Sequence, residues 1–127
     1  MNGFVLNGYL WHVAFVAPDS SVLVDRTGEM RVATTDPSTL HVYLSDRLSG
    51  DFLIRVLFHE LGHCVMFSFN LLDDIHRMVK RQYWVEAEEW ACNFIADYGL
   101  KIFSTAHSVL GDDAWILLPK QLSRLIG

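Results

Sequence analysis

From Gly50 to Phe69 the chain reads G-D-F-L-I-R-V-L-F-H-E-L-G-H-C-V-M-F-S-F, and here its hydrophobic period becomes helical. Ser49 stands at the N-cap position, where a hydroxyl can accept from an otherwise unpaired first-turn amide. Asp51 suits the positive end of the helix dipole. Apolar residues fall on nearly all sides, which predicts a central, buried helix stopped near Asn70.

Upstream the pattern is that of strands. Tyr9 to Ala17, YLWHVAFVA, is rich in β-branched and aromatic residues and is closed by Pro18 and Asp19. A short apolar piece, Val22 to Val24, leads through a turn at Asp25 to Gly28 into Met30 to Thr34, which is expected to pair back as a hairpin. Asp36-Pro37-Ser38 turns the chain again before the strand Leu40 to Leu44. Downstream, Leu72 to Lys80 reads as a short charged helix and Tyr83 to Thr105 as a third helix, disturbed at Gly99. Pro119 divides a helical tail ending near Ile126. Three to four short strands followed by helices predict an α+β fold, and 127 residues fit one domain spanning 1–127.

Composition narrows the function. With 51% hydrophobic and 20% charged residues and four tryptophans, the chain has material for a core and is not of disordered type. Ten basic against fifteen acidic residues give a net charge of −5, which repels a polyphosphate, so no nucleic acid is expected as a partner. The longest apolar region, Phe52 to Phe69, carries Arg55, His59, Glu60 and His63, too many ionisable groups for a lipid-exposed helix, so no membrane is expected either. Met1 to Ala17 lacks a positive n-region and contains His12, which argues against a signal peptide and for a cytoplasmic location. Cys64 and Cys92, flanked by apolar neighbours, read as reduced core thiols.

Within the predicted helix stands His59-Glu60-Leu61-Gly62-His63. Residues four apart are rotated by only about 40° and stacked one turn above each other, so the two imidazoles can grip one metal ion. Glu60, about 100° away, is placed for a general base acting on water at the metal rather than for a second-face ligand. Two buried histidines and a glutamate without a metal would strand a carboxylate in an apolar helix. Imidazoles with an oxygen ligand and an open position are the donor set of catalytic Zn²⁺.

A third ligand is needed. The metzincin pattern, with a histidine at the sixth place after the second, fails because that place holds Phe69, with Met66 where glycine is required. The peptide deformylase arrangement fails because no cysteine precedes Cys64. What remains is a glutamate of the third helix: Glu86, Glu88 or Glu89. Glu86 shares a polar arc with Gln82, Asn93, Asp97 and Lys101 and is expected to be solvated. Glu88 points into the arc of Trp84, Ala91, Ile95 and Ile102, and Glu89 lies at its edge beside Cys92 and Ala96. Glu89 is preferred, with Glu88 as the alternate, because Asn93 one turn later could accept the free N–H of a zinc-bound histidine. His76 offers another third ligand, although Asp73, Asp74 and Arg77 mark its helix as solvated. His12 and His107 are not ligand candidates.

These residues resemble gluzincin-type metallopeptidases, and among them the ImmA/IrrE family of small, often phage- or mobile-element-borne proteases. That family pairs an HExxH helix with a helix bearing E-x-x-A-N-x-F-A, whose glutamate is the third zinc ligand. Glu89-Trp90-Ala91-Cys92-Asn93-Phe94-Ile95-Ala96 fits with cysteine for the first alanine and isoleucine for phenylalanine. The resemblance spans roughly positions 40–103, by layout rather than continuous similarity. The usual L-L-M-P continuation is replaced by Asp97-Tyr98-Gly99-Leu100, and an attached helix-turn-helix domain is not expected.

The resemblance implies a small zincin-like domain and a zinc metallopeptidase acting on a peptide or protein substrate. His59, His63 and Glu89 would hold Zn²⁺, and Glu60 would take a proton from the attacking water and pass it to the leaving amine. The strand His41 to Leu44 is expected to take an extended substrate at its edge, and His41, Tyr43, His76, Tyr83 and Tyr98 are all open as oxyanion stabilisers. A different class of function is a metal-binding regulatory or interaction module of phage or mobile-element origin that no longer turns over. A third is a structural zinc domain with a closed coordination shell.

Overall fold

The computed structural model describes residues 2–115, so the tail around Pro119 and Ile126 lies outside the described residues. The order of elements is β1 (Gly3–Leu6), β2 (Tyr9–Val16), β3 (Ala33–Asp36), β4 (His41–Ser45), α1 (Gly50–Ser68), α2 (Leu72–Met78), α3 (Trp84–Phe94) and α4 (Leu100–Leu110). A π-helical segment, Ile95–Gly99, joins α3 to α4. The class is α+β, as the sequence predicts: a four-stranded mixed sheet, then helices. Among the described residues no single helix is long and apolar enough to cross a membrane; α1 and α2 together have the length and composition but are bent by 86°.

The sheet order is β1-β2-β4-β3. β1 and β2 form an antiparallel hairpin whose two-residue loop, Asn7-Gly8, takes positive φ at both positions (49° and 83°), matching the twist of the flanking strands. β1 is too short to show a period, and the Asn-Gly pair is the sequence signal for it. β2 and β4 are parallel, and β4 and β3 antiparallel, so β4 is a central strand. Its edge is therefore not open to a substrate, contrary to the expectation for His41 to Leu44; β3 is the edge strand on that side of the sheet, and β1 the other. Met30 to Thr34 also departs from its predicted hairpin. Val24 and Met30 make one isolated bridge, and the strand proper begins at Ala33 and pairs with β4.

α1 lies across the sheet. Trp11, Ala33, Val42, Leu44, Val56 and Cys64 form the core between them. The indole of fully buried Trp11 donates to Ser68 Oγ at 2.8 Å, and Asn7 Nδ2 donates to the Ser68 carbonyl at 2.8 Å, pinning the end of α1 to the first hairpin. The helix stops at a Schellman motif: Asn70 takes φ 57°, its N–H reaches the Phe67 carbonyl, and Leu71 N–H reaches Met66. Ser49 holds the extended conformation of an N-cap, but its hydroxyl makes no cap hydrogen bond. The helix is only partly buried, since Phe52 and Ile54 are more than half exposed. The sheet covers one side, where Leu53 and Val56 pack, and α3 another, and Phe52 and Ile54 face outward.

α3 packs on α1 through a second core of Met66, Ile75 and Cys92. The closest approach is at Gly62, where a Cβ would meet Cys92 Sγ at 3.1 Å and Cys92 Cα at 3.3 Å. Glycine inside the motif thus sets the distance between the two helices. Gly62→Val should cost about 1–3 kcal/mol by overpacking, read as a lower midpoint in denaturant unfolding.

Candidate metal centre

Successive turns of α1 carry His59 and His63, and their Nε2 atoms converge to 3.2 Å. Two basic nitrogens this close need a proton or a cation between them. Donor atoms of His59, Glu60 and His63 lie within 4.8 Å of one another, which makes these three a candidate metal-binding group. Glu60 is buried, and its Oε2 stands 3.8 Å from His59 Nε2. Thr35 of β3 donates its hydroxyl to Glu60 Oε1 at 2.9 Å. Burial pushes the Glu60 carboxyl up from its ordinary range, against the opposing pull of His63, His59 and the Thr35 hydrogen bond.

α3 meets this group with the side chains that its phase turns toward α1. Glu89 Oε2 is 3.0 Å from His59 Nε2, and Glu89 Oε1 is 3.3 Å from His63 Nε2. The other ring nitrogens face acceptors. His59 Nδ1 donates to Asn93 Oδ1 at 2.9 Å, and His63 Nδ1 donates to the Glu88 carboxylate. Hydrogen bonds from His59 and His63 hold the Glu89 carboxyl well below the usual range. Burial would raise the Glu88 carboxyl, but its hydrogen bonds with His63 and Arg26 bring it below its ordinary value. For His63, burial opposes the charge; hydrogen bonding with Cys92, Glu88 and Glu89 outweighs it and pushes the ring up to about 12.

The separations fit a metal. Tetrahedral zinc with ligand bonds of about 2.0–2.1 Å places neighbouring donor atoms roughly 3.3 Å apart; the two Nε2 atoms stand 3.2 Å apart, with one Glu89 oxygen 3.0 Å from His59 Nε2 and the other 3.3 Å from His63 Nε2. The Nδ1 partners fix the ring orientations that aim both Nε2 atoms at the same point.

Of the other residues singled out in the sequence, Glu86 is exposed. His76 stacks on Trp84 with ring centroids 3.8 Å apart, outside the group. His107 lies 3.5 Å from Asp112, and His12 is exposed beside His41. A cleft of about 980 Å³ opens over the group, with Ala33 to Pro37 of the β3 edge along its wall; of the five oxyanion candidates only Tyr43 lines it.

Two residues escaped the sequence reading. Thr35 follows from strand alternation, since it shares a sheet face with Ala33 and so points at α1. Arg26 has no such signal. It reaches from the turn before β3 and donates from one guanidinium nitrogen to Glu88 Oε1 at 3.1 Å and from another to Glu89 Oε1 at 3.2 Å. That turn is built on Asp25, whose carboxylate accepts from Thr27 N–H (2.8 Å), Thr27 Oγ1 (2.5 Å), Glu29 N–H (3.2 Å) and Arg31 Nε (2.7 Å). Beyond the end of α3, Asp97 of the π segment pairs with Arg55 of α1 at 2.7 Å.

The hydrogen bonds to Asp25, from Thr27 and Arg31 first, hold its carboxyl well below 3.8. A depressed folded value means that its contribution is complete above the ordinary carboxylate range and is lost as pH falls through the depressed value. Asp25→Asn should speed amide exchange at Thr27 and Glu29 at neutral pH, and should remove the acid-dependent part of their protection, followed by hydrogen-exchange NMR. Compared with known proteins, the chain matches no family model and no curated protein.

Proposed function

We propose that this chain is a zinc-dependent peptidase in which His59, His63 and Glu89 hold the ion and Glu60 is the general base. One observation carries the reading: the two imidazole Nε2 atoms stand 3.2 Å apart with oxygens of the Glu89 carboxylate 3.0 and 3.3 Å from them, while each Nδ1 is engaged elsewhere. Glu88 is set aside as a ligand because it accepts from Nδ1 of a ring whose Nε2 faces the shared point. Asn93 and Glu88 are then the groups that orient His59 and His63. The resemblance of the two helices to the ImmA/IrrE pattern agrees with this assignment.

Bound zinc supplies a Lewis acid that polarises a peptide carbonyl and makes water acidic at neutral pH. The chain's own residues do the rest. Glu60 takes the proton from water at its carboxylate and returns it to the leaving amine. Thr35 fixes the Glu60 rotamer from the other side. The edge of β3 along the cleft wall offers backbone groups to an extended peptide or protein substrate. Two free, fully buried cysteines suit a reducing, cytoplasmic setting.

Protein purified without chelator should carry about one zinc per chain, measured by metal mass spectrometry. His63→Ala and Glu89→Ala should lose it, and Glu88→Ala should retain it with lower affinity, by roughly 10- to 100-fold. Retention by Glu89→Ala with loss in Glu88→Ala would reverse the two assignments. Glu60→Gln should keep the metal and lose cleavage of an unstructured peptide such as casein. Wild-type protein that binds zinc yet cleaves nothing, with Glu60→Gln indistinguishable from it, would make the chain a metal-dependent regulatory module instead.

A further inference from the structure

We infer that Arg26 is a positioning residue for the metal ligands: by bridging Glu88 and Glu89 it locks both carboxylates in the arrangement that receives the ion. This rests on the metal-centre reading above. Consecutive residues on a helix diverge by about 100°, so the carboxylates of Glu88 and Glu89 do not converge by backbone geometry alone. Here they do, one against His63 Nδ1 and the other between the two Nε2 atoms, with the planar guanidinium spanning the pair at 3.1 and 3.2 Å. A guanidinium presents nitrogens in a fixed fork and can hold two carboxylates at once; an ammonium is a single point charge.

The turn that presents Arg26 is built independently of its side chain. Asp25 closes it through four hydrogen bonds, Asp25 N–H reaches the Glu29 carbonyl at 2.9 Å, Gly28 takes φ 86°, and Val24 bridges to Met30. The Arg26 side chain is about half exposed, at 47%, so it is not a core residue. A rigid turn thus carries one cation across the cleft to two acids 62 and 63 residues away in sequence. Without it, Glu88 and Glu89 repel each other and the buried Glu60 nearby. The ligand arm then relaxes outward, and the ion must re-collect it on binding.

Arg26→Gln and Arg26→Lys in the full chain test this against wild type. Three readouts are needed: zinc affinity by competition with a chromophoric chelator, the visible absorption of the cobalt-substituted protein, and thermal unfolding of the metal-free form. Arg26→Gln should weaken zinc binding by roughly 10- to 100-fold and alter the cobalt bands. Arg26→Lys should recover only part of the loss. Unchanged or tighter zinc binding in Arg26→Gln would overturn the assignment, since the guanidinium would then be a bystander or a competing cation. Full recovery by Arg26→Lys would make charge alone the cause. A lowered metal-free melting temperature with an unaltered cobalt spectrum would reduce the residue to a structural role. If wild type binds no zinc, the metal-centre reading itself falls; if wild type binds and Arg26→Gln binds equally well, only the role of Arg26 falls.

Discussion

The arrangement of this molecule turns on a charge problem. Three carboxylates, Glu60, Glu88 and Glu89, are drawn into one region around two imidazoles, and two of the three are buried. Buried acids this close are tolerated only where positive charge or strong donors face them. The chain supplies these from three directions: the His59 and His63 rings from α1, the Arg26 guanidinium from the turn before β3, and the Thr35 hydroxyl from the sheet edge. The resulting shifts have opposite signs. Glu60, where burial outweighs the pull of its partners, is raised, while Glu88 and Glu89 are lowered. That split separates a group suited to accept and release a proton from two suited to remain anionic beside a cation.

The geometry that gathers these charges comes from ordinary packing. α1 is anchored at its C-terminal end by Trp11 and Asn7 on Ser68 and by the Schellman turn at Asn70, which fixes its rotation above the sheet. α3 is brought to contact distance by Gly62 against Cys92. Once the helices lie that close, two i, i+4 pairs face each other: His59 and His63 on one, Glu89 and Asn93 on the other. His59 is then read at both ring nitrogens by a single turn of α3, Nε2 by Glu89 and Nδ1 by Asn93. The π segment begins just after this turn, and it meets α1 through Asp97 and Arg55. Helical irregularities of this kind recur beside functional sites because an extra residue re-aims the side chains around it.

Much of this was legible before any coordinates. The change of period at Ser49 located the sheet and the first helix, and the i, i+4 histidines with the adjacent glutamate defined the candidate group, because helix geometry is local. Helical phase brought Glu88 and Glu89 to the right face for the same reason. What escaped depends on long-range register. The order β1-β2-β4-β3, which buries β4 between neighbours and leaves β3 at the edge, cannot be read from strand periods that look alike. Met30 to Thr34 has the period of a strand, yet pairing with Leu44 to His41 moved the strand to Ala33–Asp36. Arg26 sits in a stretch that reads as an exposed turn, and nothing local marks it as the partner of residues more than sixty positions later.

Phase alone left Glu88 and Glu89 competing for one role, since both project toward α1. The distinction lies in the chemistry of the imidazole ring. A neutral imidazole offers one donor and one acceptor, and whichever nitrogen donates is lost to a metal. Glu88 accepts from Nδ1 of His63, so when a cation replaces the ring's second proton it is Nε2 that is left as the lone pair. Asn93 does the same for His59. A carboxylate that binds the far side of a ring sets its tautomer and cannot also sit at the point toward which the ring's Nε2 aims. Of the two glutamates, it is Glu89 that has oxygens on the Nε2 side of both rings. Two neighbouring glutamates of the same helix are thus driven to different tasks by the two faces of one histidine, and Arg26, touching both, couples the tautomer-setting acid to the acid that would complete the ligand set.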